Sequence, residues 1–308
     1  MPKNETFIHV GCHKAGSTFI QGELLQKLNN IKPVTYFNKK DYLENEFLYI
    51  SQCADIYYDN KVENSISKYY AEFQNIFIST EGFSGTGYNV FTGGFLIESI
   101  AKRLSNIFPD AKILIVIRNQ KEAIESYFKD DVKYGYLSNF EAWFNWRLNT
   151  LQLNYFKYFN LVKTYQKIFG RDNVKVLLFE NLFDFEYLNK SLKEFGVNVS
   201  GIENVNFNKS FNKTYSPLSL KLTPLINRFF GSKLSHGVTF GDDPRLKVYN
   251  FWRNNISNQL DKISFKFGIK KNNFNFPGYE NIIYDQFHWD NLKLSEIIDT
   301  DLFKFNYK

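Results

Sequence analysis

The chain of 308 residues carries only two cysteines, Cys12 and Cys53, too few for a disulfide framework. Cys12 lies inside a glycine-bracketed turn that a disulfide would distort, so a reducing, cytoplasmic setting is the expectation. No apolar run approaches the ~18 residues of a membrane span. Nothing signal-like precedes the first apolar stretch at Thr6. No His, Cys, Asp or Glu residues gather at metal-ligand spacing, and no G-x-S-x-G turn offers an activated serine. His236 and His288 stand alone and read as structural. Excess charge is scarce as well. A net +6 suits a polyanionic small molecule but falls short of what nucleic-acid binding would need. Sequons such as Asn208-Lys209-Ser210 read as accidents of an asparagine-rich chain.

What is present is concentrated near the start. Thr6-Phe7-Ile8-His9-Val10 reads as a buried strand, and an amphipathic helix from Ser17 to about Leu28 places Ile20, Leu24 and Leu28 on one face. Between them runs Gly11-Cys12-His13-Lys14-Ala15-Gly16-Ser17-Thr18. Glycine permits a tight turn there, and the amides of Ala15 to Thr18 at a helix N-terminus present partial positive charge to an anion. Lys14 adds a full charge, and Ser17 and Thr18 add hydroxyl donors. The stretch is a phosphate cradle.

A nucleotide-triphosphatase loop reads G-x-x-x-x-G-K-[ST]. Gly11 and Gly16 keep that spacing, but the lysine has moved inside the loop. Such an enzyme also needs a magnesium carboxylate, usually at the end of a second apolar strand. The best such strand, Lys112 to Ile117, ends instead in Arg118. A cation in that place argues against a magnesium nucleotide and for a second phosphate. A P-loop kinase acting on a small molecule stays open as an alternative, as does a non-catalytic nucleotide-binding protein of the same fold.

The Lys14-Ala15-Gly16-Ser17-Thr18 loop resembles the 5′-phosphosulfate loop of sulfotransferases that use 3′-phosphoadenosine 5′-phosphosulfate (PAPS). Arg118 after its strand, with Ser126 eight positions later, is similar to that family's 3′-phosphate signature. Val176 to Leu182 and Tyr249-Asn250-Phe251-Trp252 with Asn255 and Leu260 are weaker echoes. Together they span roughly residues 6 to 268. The resemblance implies a P-loop-like, three-layer α/β fold with a central, mostly parallel sheet flanked by helices. It implies one domain over 1–308, with acceptor-side insertions around 82–95, 129–147 and 207–245. It also implies a PAPS donor, the product adenosine 3′,5′-bisphosphate and no metal. Lys14, Ala15, Gly16, Ser17, Thr18, Arg118 and Ser126 would bind the nucleotide. Glu81, at the end of the strand Asn75–Thr80, looks like the catalytic base, although it could simply cap the turn that follows. Lys14 would stabilise the leaving phosphate. His13, beside it, is the second candidate for the base, or a residue that only shapes the loop. The acceptor would be a saccharide or glycolipid hydroxyl, with a small phenol or alcohol as the alternative.

Further elements follow in order. A strand is expected at Thr35–Phe37, a helix over Val62–Phe73 and another over Ile97–Ile107, stopped near Pro109. Tyr134, Tyr136, Trp143 and Trp146 would suit sugar rings, yet Phe140, Phe144, Leu148 and Leu151 continue a helical stripe typical of core. That helix is expected to run on to Phe169, with Gly170 at its end. A strand Val174–Phe179 follows, with Phe179 placed either to touch an adenine or to pack. The stretch 207–245 reads as a basic loop with Lys209, Lys213, Lys221, Arg228, Lys233 and Arg245. The aromatic content of 19% fits sugar stacking, but also the codon bias that makes Asn, Lys, Ile, Phe and Tyr abundant together.

Overall fold

A computed structural model describes residues 5–85, 94–208, 215–230, 251, 255–267, 274 and 276–308. Five strands form one sheet: β1 (Glu5–Gly11), β2 (Lys32–Thr35), β3 (Asn75–Thr80), β4 (Lys112–Ile117) and β5 (Val174–Leu178). All neighbours pair parallel, in the order β2-β3-β1-β4-β5. In β1 and β4 successive side chains are buried irrespective of parity, as expected of strands covered on both faces. Helices flank this sheet, so the expected three-layer α/β architecture is the one observed.

The register aligns the strand ends. Val10 lies opposite Thr80, Gly11 opposite Val116, and Ile117 opposite Leu178. Cys12, Glu81, Arg118 and Phe179 therefore leave the sheet side by side at its carboxyl edge. The chain departs from β1 toward β2 and from β4 toward β5, so the crevice between those two strand ends is a topological switch point, where open α/β sheets bind ligands.

The first helix, α1, begins as Ser17–Phe19, passes through a π-turn at Ile20–Leu24 and ends at Leu25–Lys27. Ile20, Leu24 and Leu28 are buried as their spacing requires. Next come α2 (Glu44–Gln52), α3 (Lys61–Tyr70) and α4 (Ile97–Ile107). After β4 follow α5 (Gln120–Tyr134), α6 (Phe140–Asn149) and α7 (Tyr158–Phe169). Then come α8 (Phe185–Glu194), α9 (Pro217–Phe230), α10 (Ser257–Lys266) and α11 (Tyr279–Ile298). Among the described residues no helix is long and apolar enough to cross a membrane.

Three expectations need correction. The second strand is Lys32–Thr35, not 35–37, because Asn38 N donates to Thr35 O and turns the chain away from the sheet. The helix expected to reach Phe169 unbroken is two helices. Leu151 adopts a left-handed backbone (φ 59°), and the turn Gln152–Phe156 then buries Leu153, Tyr155 and Phe156. The basic stretch 207–245 contains a helix, α9, within which Thr223 Oγ1 bonds Ser219 O just ahead of Pro224. Lys209, Lys213, Lys233, Arg245 and His236 lie outside the described residues.

Two compact units emerge from the contacts: 1–120 with 151–211 and 283–308, and 121–150 with 212–282. The first holds the whole sheet. The second has its own aromatic core, where Phe140 meets Phe274 and Tyr279 at ring separations of 5.0 and 5.3 Å. Within it the Asp131 carboxylate accepts from Trp143 Nε1 at 2.6 Å and pairs with Arg147. Asn227 Nδ2 donates to the carbonyls of Val132 and Tyr136, closing the end of α5. Trp143 and Phe144 are fully buried here, so they are core, whereas Trp146 is half exposed.

Two buried titratable groups in the first unit oppose one another. His9, in the central strand, has its Nδ1 2.7 Å from Ser79 Oγ, and burial pulls its pKa down to about 4. Its contribution to stability is lost as pH falls from the ordinary histidine range toward 4, because the unfolded chain then binds the extra proton. Asp290 accepts from Phe159 N at 3.2 Å, and burial pushes its pKa up to about 6. Its contribution has the reverse sign and is lost as pH rises through 6. Asp290→Asn should remove the contribution that opposes the histidine effect. Its urea stability should fall by about 2 kcal/mol more than that of the native protein between pH 6.5 and 4.5, and His9→Gln should shift the other way.

Candidate active site

Gly11 ends β1 so close to its neighbours that a Cβ there would lie 2.7 Å from Ser17 Oγ and 3.2 Å from Glu81 Cγ. Only glycine allows the loop to turn against β3's exit. Lys14 takes a left-handed backbone (φ 64°), as does Gly16 (φ 88°), the N-cap of α1. For lysine that conformation costs roughly 1–2 kcal/mol, so something must hold it. Arg118 Nη1 donates to Lys14 O at 3.1 Å, a charge-assisted bond of the right strength to do so. Ala15 N donates to Cys12 O, leaving Ser17 and Thr18 to supply the amides that have no intrahelical partner. The cradle is closed beneath by β5's exit: a Cβ at Gly16 would lie 2.5 Å from Leu182 Cδ2 and 3.3 Å from Phe179. The Arg118 guanidinium stacks 4.2 Å from the Phe179 ring centroid.

Glu81 opens a short turn, Glu81–Ser84, directly after β3. The cap of that turn is Thr80, whose Oγ1 accepts from Gly82 N. Its Oε2 lies 3.0 Å from His13 Nδ1, and the two side chains are 40% and 24% exposed, open enough to be reached by a substrate. Burial alone would raise the pKa of Glu81. The His13 ring and its hydrogen bond outweigh that, with Lys14 and Ser17 adding to them, and hold the carboxyl below its ordinary value.

A buried hydrogen-bond chain fixes the backbone on both sides of this pair. His13 N donates to Tyr155 Oη at 2.9 Å, Tyr155 and Ser84 share a bond of 2.8 Å, and Ser84 Oγ reaches Gly11 O and Glu81 O. Burial keeps the Tyr155 phenol protonated far above the neutral range. Sequence reasoning missed Tyr155 and Ser84, which lie 71 positions apart. Ser84 stands three residues after Glu81 in the turn, and Tyr155 is delivered by the unexpected break at Leu151.

The structure thus brings His13, Lys14, Gly16, Ser17, Arg118 and Glu81 to one edge of the sheet. Ser126 lies two turns into α5, half-buried, in the second unit. Glu180, in the weaker echo after β5, is structural: its carboxylate accepts from Asn119 N and Tyr307 Oη. Of the late echo, Tyr249, Asn250 and Trp252 lie outside the described residues.

No family model matches the chain, and no curated protein matches it. Among solved structures it is similar to a sulfotransferase from Alicyclobacillus acidocaldarius, at 17% identity and a TM-score of 0.53 over 99% of both chains. A mouse sulfotransferase, SULT7A1 complexed with PAP, aligns at 13% identity and a TM-score of 0.38 over 86% of this chain and 90% of that one. The first likeness shows the fold.

Glycine substitutions test the cradle. Gly278 has a positive φ of 83°, and an added Cβ there would meet nothing within 4 Å, so Gly278→Ala should cost only the backbone strain of about 1 kcal/mol. Gly16→Ala adds a collision with fully buried Leu182. Its loss of stability in urea titration should be at least twice as large.

Proposed function

We propose that the protein is a sulfotransferase that moves the sulfuryl group of PAPS to an acceptor hydroxyl, by in-line displacement with Glu81 as base. The observation that carries this reading is the meeting of a phosphate cradle, an arginine and an ionised carboxylate at the switch point between β1 and β4. The full-length likeness to a solved sulfotransferase supports it. Arg118 stands where a magnesium nucleotide would require a carboxylate, which disfavours a kinase.

The residues fit the donor. The amides of the first turn of α1, with Lys14, Ser17 and Thr18, would hold its 5′-phosphate, and Arg118 its 3′-phosphate. Ser17 is buried at the start of α1, on the side of the loop that faces Glu81. When bound, the donor supplies an activated sulfuryl group on a phosphate leaving group. Glu81 takes the proton of the acceptor hydroxyl as its oxygen forms the new bond to sulfur. The contact of His13 Nδ1 with Oε2 fixes the orientation of the carboxylate toward the acceptor. Lys14 meets the charge that grows on the departing phosphate, a preorganised electrostatic role. A sugar hydroxyl, on a saccharide or glycolipid, is the acceptor most in keeping with a carboxylate base.

Thermal melting tests the donor. Adenosine 3′,5′-bisphosphate at ~100 times its dissociation constant should stabilise the protein by about 2.7 kcal/mol, and ADP or ATP–Mg²⁺ should do much less. A shift with ATP–Mg²⁺ alone would overturn the reading. Glu81→Gln should lower kcat ~10²–10⁴-fold with the bisphosphate-induced shift retained. Because the carboxyl is held below its ordinary value, the acid limb of the native kcat/KM profile should lie below the ordinary carboxylate pKa.

A further inference from the structure

Arg118 touches more than one part of the site. Its Nη1 holds the carbonyl of Lys14, the residue whose left-handed backbone shapes the loop, and its guanidinium face lies on Phe179. Phe179 in turn lies against Gly16, where an added Cβ would come within 3.3 Å of its ring. Lys14, Gly16, Phe179 and Arg118 therefore form a closed ring of contacts. It links the exits of β1, β4 and β5, and its two loop members, Lys14 and Gly16, are those with positive φ.

An arginine that served only a 3′-phosphate would need no bond to the loop. We propose that Arg118 serves both phosphate positions at once: wedged between the Phe179 ring and the Lys14 carbonyl, it holds the 5′-phosphate loop in shape as well as meeting the 3′-phosphate, with Phe179 as its positioning residue. This rests on the adenosine-phosphate reading given above. Its consequence is that the two subsites are not separable. Loss of Arg118 weakens even a nucleotide that has no 3′-phosphate, because the loop amides lose the conformation that Lys14 imposes. Loss of the Phe179 ring does the same with every charge still in place. The planar guanidinium keeps its orientation by stacking, which a leucine does not provide.

The test is calorimetric titration of native protein, Arg118→Met, Phe179→Leu and Phe179→Tyr with two ligands, adenosine 3′,5′-bisphosphate and adenosine 5′-phosphosulfate. The second lacks the 3′-phosphate. Arg118→Met should weaken the 5′-phosphosulfate about tenfold and the bisphosphate more. Phe179→Leu should weaken both by a similar factor, and Phe179→Tyr, which keeps the ring, should restore both. Ligand-free melting checks that each variant is folded; if Arg118→Met is not, Arg118→Lys, which keeps the charge but not the planar fork that stacks on Phe179, takes its place and should weaken both ligands. Affinity for the 5′-phosphosulfate within twofold of native in the folded variants would overturn the coupling and leave the donor assignment intact. Native protein that binds neither ligand would remove the donor assignment itself.

Discussion

The site depends on one constraint: β1 lies between β3 and β4 with strand ends in register, and its last residue has no side chain. Gly11 is where the loop must pass within van der Waals reach of both Ser17 and Glu81. Any larger residue would push the loop off the β3 exit and separate His13 from the carboxylate it meets at 3.0 Å. Parallel pairing then does the rest of the positioning. Four consecutive exits deliver a buried thiol, a carboxylate, an arginine and an aromatic ring along one edge, without any of them needing a long loop to reach its place.

Polar burial reinforces this geometry. Ser84 and Tyr155 bond one another and main-chain groups of the loop and turn, so they specify where the backbone lies rather than adding charge. A fully satisfied network in low dielectric rigidifies what it ties. Charge is placed above it, where Lys14, His13 and Glu81 reach solvent. The division leaves the charged groups accessible while the atoms that orient them are out of water.

Much of this was legible in the sequence because it is local. The strand–loop–helix from Thr6 to Leu28 follows from periodicity and two glycines, and Arg118 was readable as the residue that ends an apolar strand. Glu81 was legible for the same reason. What could not be read depends on partners distant in the chain. The left-handed turn at Leu151 has no glycine to announce it, so a stripe of apolar residues suggested one continuous helix. The partners of Tyr155 lie 142 and 71 positions away, and no local pattern encodes them. Phe179 read equally well as an adenine contact or as packing. Its contacts with Arg118 and Gly16 are matters of register between β4 and β5, which no window of sequence contains.

Cys12 gives the cradle a built-in reporter. It is buried within the loop itself, and burial pushes its thiol far above the range in which it ionises near neutrality. Cys53, at the end of α2, is partly open to solvent. An alkylating reagent therefore meets two thiols of very different reactivity. The fast one counts molecules, and the slow one is modified only when the loop lifts away from the sheet. The ratio of the two rates is a clock for the opening of the loop, readable without any label having been introduced.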